Sequence, residues 1–378
     1  MSTIRDTDLV RTNDYADDSS EVRVLDPDGR LLPDATEPDL SDEALVTMYE
    51  TMLTARHFDE RAVSWQRQGR LATYAPMSGQ EAGQVASTLA LADDDWVFPT
   101  YREHAVRLVA GFDLPDILRG LMGATLPSGS AGGPTVAPEC IPIATQLPHA
   151  TGAAMAARHR DDDSIAVAHF GDGATSEGDF HEALNFAGVF DAPAVFLCHN
   201  NQWAISVPRR RQTASATLAQ KADAYGFEGV RVDGMDPLAV YSAVRYAREK
   251  ALDPDADDLR PTLIESVEYR YGAHTTADDP EEYRDDREVD YWRDRDPIDR
   301  LETFLLDTGR LDAASVDAIE SRVEESVADA IAAAESRPAP DADDLFADVY
   351  EEVPDHLASQ REQLRHLRER HGDALLRD

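Results

Sequence analysis

An α/β fold built on a doubly wound parallel sheet, with helices on both faces, is predicted by three features of this 378-residue sequence. Short apolar runs alternate with segments of helical periodicity along most of the chain. The run Ile165–Phe170 is mostly apolar without strict alternation, the pattern of a strand buried on both faces. It ends in Gly171-Asp172-Gly173, where glycine lets the backbone turn tightly and approach a ligand closely.

After that turn, Phe180, Ala183, Leu184 and Ala187 fall at helical spacing. Ala192-Pro193 stops the helix, and Ala194–Cys198 reads as a second apolar strand, followed by Asn200-Asn201. The stretch is one β-α-β unit, with Asp172 and Asn201 at the carboxyl ends of neighbouring strands. Ligands bind at that edge of open α/β sheets. A carboxylate and an amide oxygen there suit Mg²⁺, which prefers oxygen ligands and shares them with phosphates.

The other elements follow in order. Residues 1–40, rich in Asp, Pro and Ser, read as a partly disordered N-terminal arm with at most a small hairpin near Val22–Leu25. Ser41 opens a helix through Leu45, Met48, Tyr49, Met52 and Leu53 to Arg67, and Gly69-Arg70 ends it. A loop from Tyr74 to Gly83 leads to a helix at Gln84–Leu91 and a short strand at Trp96–Phe98. Tyr101-Arg102 follows that strand. A planar guanidinium and a hydroxyl suit phosphate, although taken alone Arg102 reads as an ordinary surface arginine.

Residues 123–142 are Gly/Pro/Ser-rich and read as a long functional loop inside one domain. Ile143–Ala157 is a small-residue helix, and Thr213–Ala224 another helix. Val230–Gly234 gives a strand and turn, Leu238–Ala251 a helix, and Pro261–Tyr269 a strand that runs into the polar loop Arg270–Pro280. From Asp299 the chain is helical, interrupted at Pro338-Ala-Pro340, and Gln360–Leu376 looks like a charged amphipathic helix. The expected organisation is therefore an arm (1–40), an α/β domain (41–298) and a C-terminal helical region (299–378).

The net charge is −38, and the acids are spread over the chain rather than gathered in one tail. Only Lys221 and Lys250 among 36 basic residues are lysines. A salt-adapted acidic surface fits that distribution better than a dedicated cationic partner, and nucleic-acid binding through a basic face is excluded. Cys140 and Cys198 give no disulfide framework. No apolar signal core or bilayer-length run is present, so the expected setting is the cytoplasm, without membrane contact.

A Gly-Asp-Gly alone is more often a turn than a site. Here 26 residues separate it from Asn200-Asn201, and further motifs accompany it. These are Gln68–Leu71, Tyr74–Pro76, Gly79–Glu81, Tyr101-Arg102, Asn200–Ser206, Asp233–Ala239 and Tyr271–His274. With them the sequence, from about Val22 to Gln363, resembles the alpha subunits of thiamine-diphosphate-dependent decarboxylase components of 2-oxo acid dehydrogenase complexes, the pyruvate and branched-chain types. The resemblance implies Mg²⁺ held by Asp172, Asn201 and the backbone carbonyl of Trp203. It implies a diphosphate held by Gly173 and Ala174 at a helix start and by Tyr101 and Arg102. Ile143 would be the wedge that keeps the cofactor bent, and His274 the catalytic residue that stabilises the intermediate and guides transfer to a lipoyl group.

The resemblance also implies the partners: a beta subunit that supplies the activating glutamate, in an alpha2–beta2 heterotetramer, the lipoyl domain of an acyltransferase, and a small 2-oxo acid. The chain departs from the branched-chain pattern at Ala273, where a second histidine is common, and at Cys140, beside a potassium site of that type. Thr275 stands where the mammalian branched-chain type has a phosphorylated serine. His199 carries no assigned role. An acetoin-cleaving enzyme of the same cofactor class and a non-catalytic assembly subunit remain the alternatives.

Overall fold

The computed structural model describes residues 21–337, 343–347 and 350–372. In chain order the elements are α1 (Asp42–Arg67), α2 (Glu81–Leu89), β1 (Trp96–Phe98), α3 (His104–Val109), α4 (Leu114–Leu121), β2 (Thr135–Val136), α5 (Gln146–Arg160), β3 (Ala166–Gly171), α6 (Gly178–Phe190) and β4 (Ala194–Asn200). They continue as β5 (Trp203–Ala204), β6 (Val207–Pro208), β7 (Glu228–Asp233), α7 (Pro237–Leu252), β8 (Thr262–Val267), α8 (Asp286–Arg293), α9 (Pro297–Asp307), α10 (Ala313–Ser336), α11 (Asp344–Ala347) and α12 (Asp355–His371).

Six strands form a parallel sheet in the order β2-β1-β3-β4-β8-β7. Every residue of β4 and β8 is buried, which requires cover on both faces. On one face Ala168, Phe170, Phe196 and Cys198 pack against Ala150 and Ala154 of α5 and Phe180 and Leu184 of α6. Alanines in α5 remove the side-chain bulk that would hold that helix off the sheet. Helix α7 packs against β4, β7 and β8, with α2 against α7.

The strand order reverses between β1 and β3: from β1 the chain passes outward to β2, and from β3 it passes the other way to β4. The crevice at such a switch point is the standing ligand position of an open α/β sheet. In register, Gly171 of β3 sits beside His199 of β4, so Asp172 and Asn201 leave the sheet together.

Several expectations change. Residues 21–40 are docked rather than a loose arm. Val22 bridges to Val232 and Leu25 to Leu31, and Val24 and Leu25 are buried. The cause is Asp236, whose Oδ2 accepts the Val24 and Leu25 N–H groups at 2.7 Å each. Residues 1–20 of the expected arm lie outside the described residues. The loop 123–142 contributes an edge strand, β2. The expected helix at Thr213–Ala224 is only a 3-10 turn at Ala219–Tyr225, because Glu265 of β8 takes the Leu218 and Ala219 N–H groups and ties the segment to the sheet.

The chain divides into two compact units at Ala330/Ile331, inside α10 and beyond the expected boundary at 298/299. In the first, Arg322 of α10 pairs with Glu50 of α1 at 2.8 Å. In the second, Arg365 of α12 pairs with Asp343 at 2.6 Å. The end of the expected Gln360–Leu376 helix, 373–376, lies outside the described residues. Among the described residues no helix is long and apolar enough to cross a membrane.

Candidate functional site

A cavity of about 240 Å³ opens at the carboxyl ends of β1, β3 and β4. Tyr101, Arg102, Ile143, Asp172, Gly173, Ala174, Asn201, Trp203 and His274, the nine residues singled out in the sequence, all line it.

Asp172 follows β3 directly and is fully buried. Burial pushes its carboxyl up to about 6, while a hydrogen bond from Gln212 Nε2 (2.6 Å) and the Arg270 guanidinium pull the other way. Gly173 has no room for a side chain: a Cβ there would lie 2.7 Å from the Ala204 Cβ. The segment Asp172–Ser176 is a 3-10 turn, and α6 starts only at Gly178. Gly173 and Ala174 therefore sit on that turn and not on the first turn of the α-helix, which corrects the sequence expectation.

Asn201 leaves β4 and is also buried. Its Nδ2 donates to Gln80 Oε1 at 2.9 Å, and its Oδ1 accepts the Trp203 N–H at 3.3 Å. The β5–β6 hairpin that follows holds Ile205 at φ 56°, a left-handed conformation that β-branched residues rarely adopt. Arg270 Nη2 donates to the Ile205 carbonyl at 2.9 Å and fixes that turn.

Arg102 is buried, not a surface arginine. It donates to the Pro76 carbonyl (2.5 Å) and the His274 carbonyl (3.0 Å), and its Nη2 lies 3.1 Å from His274 Nδ1. Arg270 Nη1 lies 3.4 Å from the same nitrogen. Guanidinium groups only donate, so Nδ1 is the acceptor and the imidazole proton sits on Nε2, 3.5 Å from the Tyr101 hydroxyl. Burial and then Arg102 and Arg270 lower His274 to about 3, so the ring is neutral. Its loop is braced from behind. Asp278 accepts the His274 N–H at 2.8 Å, and Arg284 donates to the carbonyls of Arg270, Tyr271 and Gly272.

Sequence reasoning missed four contributors. Gln80, Gln212 and Arg270 hold Asn201, Asp172 and His274; a charged residue straight after the strand Pro261–Tyr269 was the available signal for Arg270. His199, left without a role, lines the cavity and is buried. Its Nδ1 is 3.0 Å from Glu268 and its Nε2 2.9 Å from His169. The Glu268 carboxylate holds that imidazole above its ordinary value against the cost of burial. The three come from different strands and strand ends, and no spacing in the sequence announces them.

The lining fits a metal-bound diphosphate. A carboxylate, an amide oxygen and a backbone carbonyl are hard oxygen donors of the kind Mg²⁺ takes. Two buried cavity amides, moreover, each keep one orphaned atom, Gln80 Nε2 and Gln146 Oε1. At about 240 Å³ the cavity is below the roughly 300–1,000 Å³ of a complete small-molecule or cofactor pocket.

Comparison with known proteins agrees with this geometry. Residues 49–343 match the family described as dehydrogenase E1 component. The chain is 46% identical over 354 residues to the 3-methyl-2-oxobutanoate dehydrogenase subunit alpha of Mycobacterium tuberculosis, covering 92% of this chain and 94% of that one. It is 40% identical over 355 residues to the pyruvate dehydrogenase E1 component subunit alpha of Staphylococcus aureus, covering 93% and 94%. With the sheet, the switch-point cavity and these relatives in agreement, the chain belongs to the dehydrogenase E1 component family, as an alpha-type subunit of the 2-oxo acid dehydrogenases.

Proposed function

We propose that this chain, with a beta subunit, decarboxylates pyruvate or a branched-chain 2-oxo acid on thiamine diphosphate and passes the acyl group to a lipoyl domain. The observation that carries the reading is the convergence of Tyr101, Arg102, Asp172, Asn201 and His274 on one switch-point cavity. Asp172, Asn201 and the Trp203 carbonyl would hold Mg²⁺. Arg102, Tyr101 and the N–H groups of Gly173 and Ala174 would hold the diphosphate, and Ile143 would press on the bent cofactor. When bound, thiamine diphosphate supplies the carbanion that attacks the 2-oxo carbon and the sink for the electron pair left as CO₂ departs.

The chain's own residues orient and shield. His274, neutral and protonated on Nε2, presents a hydrogen-bond donor to the reacting groups and to the arriving lipoyl group. The activating carboxylate comes from the beta subunit, so the chain alone is inactive. The test is turnover of pyruvate against 3-methyl-2-oxobutanoate by the purified alpha–beta pair. Turnover of one or both by the pair, and of neither by the chain alone, is expected. A pair that cleaves acetoin and neither 2-oxo acid would contradict the reading.

A further inference from the structure

Gln80 stands immediately before α2, lines the switch-point cavity and is 1% exposed. Its backbone is held on both sides. The Gln80 N–H donates to the Met77 carbonyl at 2.9 Å, and the Gln80 carbonyl accepts the Gln84 N–H at 3.3 Å. Gly79 before it, at φ 90°, has no room for a side chain, because a Cβ there would run into the Tyr269 carbonyl. The Gln80 side chain therefore starts from a fixed point.

One backbone N–H sets the direction of two side-chain amides. A peptide N–H only donates, so the Asn201 atom 3.3 Å from the Trp203 nitrogen is the oxygen, Oδ1. The other Asn201 atom is then the amide nitrogen, and the Gln80 atom it meets at 2.9 Å is the acceptor, Oε1. Gln80 is left with its amide nitrogen, Nε2, which is buried and has no hydrogen-bond partner among the described residues. A buried donor without a partner is costly, and folded proteins keep few of them.

The same side chain one turn along α2 behaves differently. Gln84 Nε2 donates to the Arg102 carbonyl at 3.3 Å, and Gln84 Oε1 accepts the Ala105 N–H at 3.1 Å, so both ends of that amide are satisfied within the protein. Helix α2 thus ties down the Arg102 segment through Gln84 and Asn201 through Gln80, and only Gln80 keeps a donor in reserve. An N–H group takes an oxygen and not a cation, so Gln80 Nε2 is no further metal ligand. Its neighbour Asn201 is the amide assigned to Mg²⁺, whose other oxygens come from phosphate. We propose that Gln80 is a further cofactor-binding residue: its Nε2 donates to an oxygen of the metal-held diphosphate, while its Oε1 keeps the Asn201 amide in one orientation.

The inference rests on the thiamine diphosphate reading above. Calorimetric titration of the purified alpha–beta complex with thiamine diphosphate, and separately with inorganic pyrophosphate, at saturating Mg²⁺ tests it. Gln80→Glu keeps the acceptor that holds Asn201 and loses the donor; Gln80→Met loses both at similar length. Each variant should bind thiamine diphosphate about tenfold or more weakly than the parent complex, the effect of losing one hydrogen bond to a charged oxygen. Pyrophosphate binding should weaken by a similar factor, because the contact is to phosphate. Parent affinity in Gln80→Glu would overturn the proposal, since holding Asn201 would then be the whole role of the residue. A loss confined to thiamine diphosphate, with pyrophosphate unchanged, would overturn it too. Should Gln80→Glu fail to assemble, Gln80→Met decides: a deficit that persists as Mg²⁺ is raised supports the diphosphate contact, and one that vanishes leaves only the Asn201 contact and overturns it. A parent complex that binds no thiamine diphosphate would remove the cofactor reading and this inference with it, whereas tight parent binding with an unchanged Gln80→Glu would remove this inference alone.

Discussion

His274 shows how neighbours set a side chain's chemistry. Burial and two guanidiniums facing one ring nitrogen keep the ring neutral, and the guanidiniums turn its N–H toward Tyr101. His274→Ala should cut reductive acylation of a lipoyl domain by about 10²-fold, more than decarboxylation followed with an artificial electron acceptor. Equal losses would leave His274 a simple cofactor contact. The same environment predicts a pH effect on stability. The folded ring sits at about 3 and the unfolded ring near 6.5, so between those values the unfolded chain binds a proton that the folded chain does not. This contribution is present above pH 6.5 and is lost as pH falls toward 3. His274→Asn should therefore lose less stability between pH 7 and pH 5 than the parent chain, measured by urea unfolding at both values. Asp172, Asn201 and His274 were legible because motifs fix their positions. His199, Glu268 and Gln212 were not, because only strand register and a returning loop bring them to the cavity.

At the level of elements, Asp236 explains why Asp233–Ala239 reads as one motif. Its Oδ1 accepts the Leu238 and Ala239 N–H groups, capping α7, while its Oδ2 accepts those of Val24 and Leu25. Arg300, buried and bonded to Asp233 at 3.0 Å and to the Leu25 carbonyl, closes the cluster from α9. Asp236→Ala leaves four backbone donors unpaired and removes one of the two acids facing Arg300. A loss of about 3–5 kcal/mol in urea unfolding is expected, and a loss under about 1 kcal/mol would contradict the account. The sheet strands were legible because burial on both faces leaves continuous apolar runs. The small hairpin at Val22–Leu25 was legible from its apolar patch, but its docking was not, since the contacts that pin it run through backbone N–H groups to Asp236, more than 200 residues further on. The shortened 213–224 helix failed for the same reason: Glu265, 46 residues further on, captured its N–H groups.

Across the whole molecule, the acidic runs Asp93-Asp94, Asp161–Asp163 and Asp257-Asp258 are exposed, as a solvated surface requires, whereas Asp95 is buried, accepting the Ile165 N–H and pairing with Arg248. Composition alone could not separate that structural acid from its neighbours. The larger feature is an open switch-point cavity that gathers Asp172, Asn201, Arg102 and His274 on one chain and leaves Ile143 half exposed. Under the proposed function, such a cavity on a single chain would be half of a site shared with the beta subunit. The most direct measurement is thiamine diphosphate affinity in the presence of Mg²⁺, compared for the chain alone, the alpha–beta complex, and the complex carrying Asp172→Ala. Tight Mg²⁺-dependent binding by the complex, weak binding by the chain alone, and loss of Mg²⁺-dependent binding in a still-folded Asp172→Ala complex are the results predicted. Unchanged affinity in that variant would contradict the metal–diphosphate half-site.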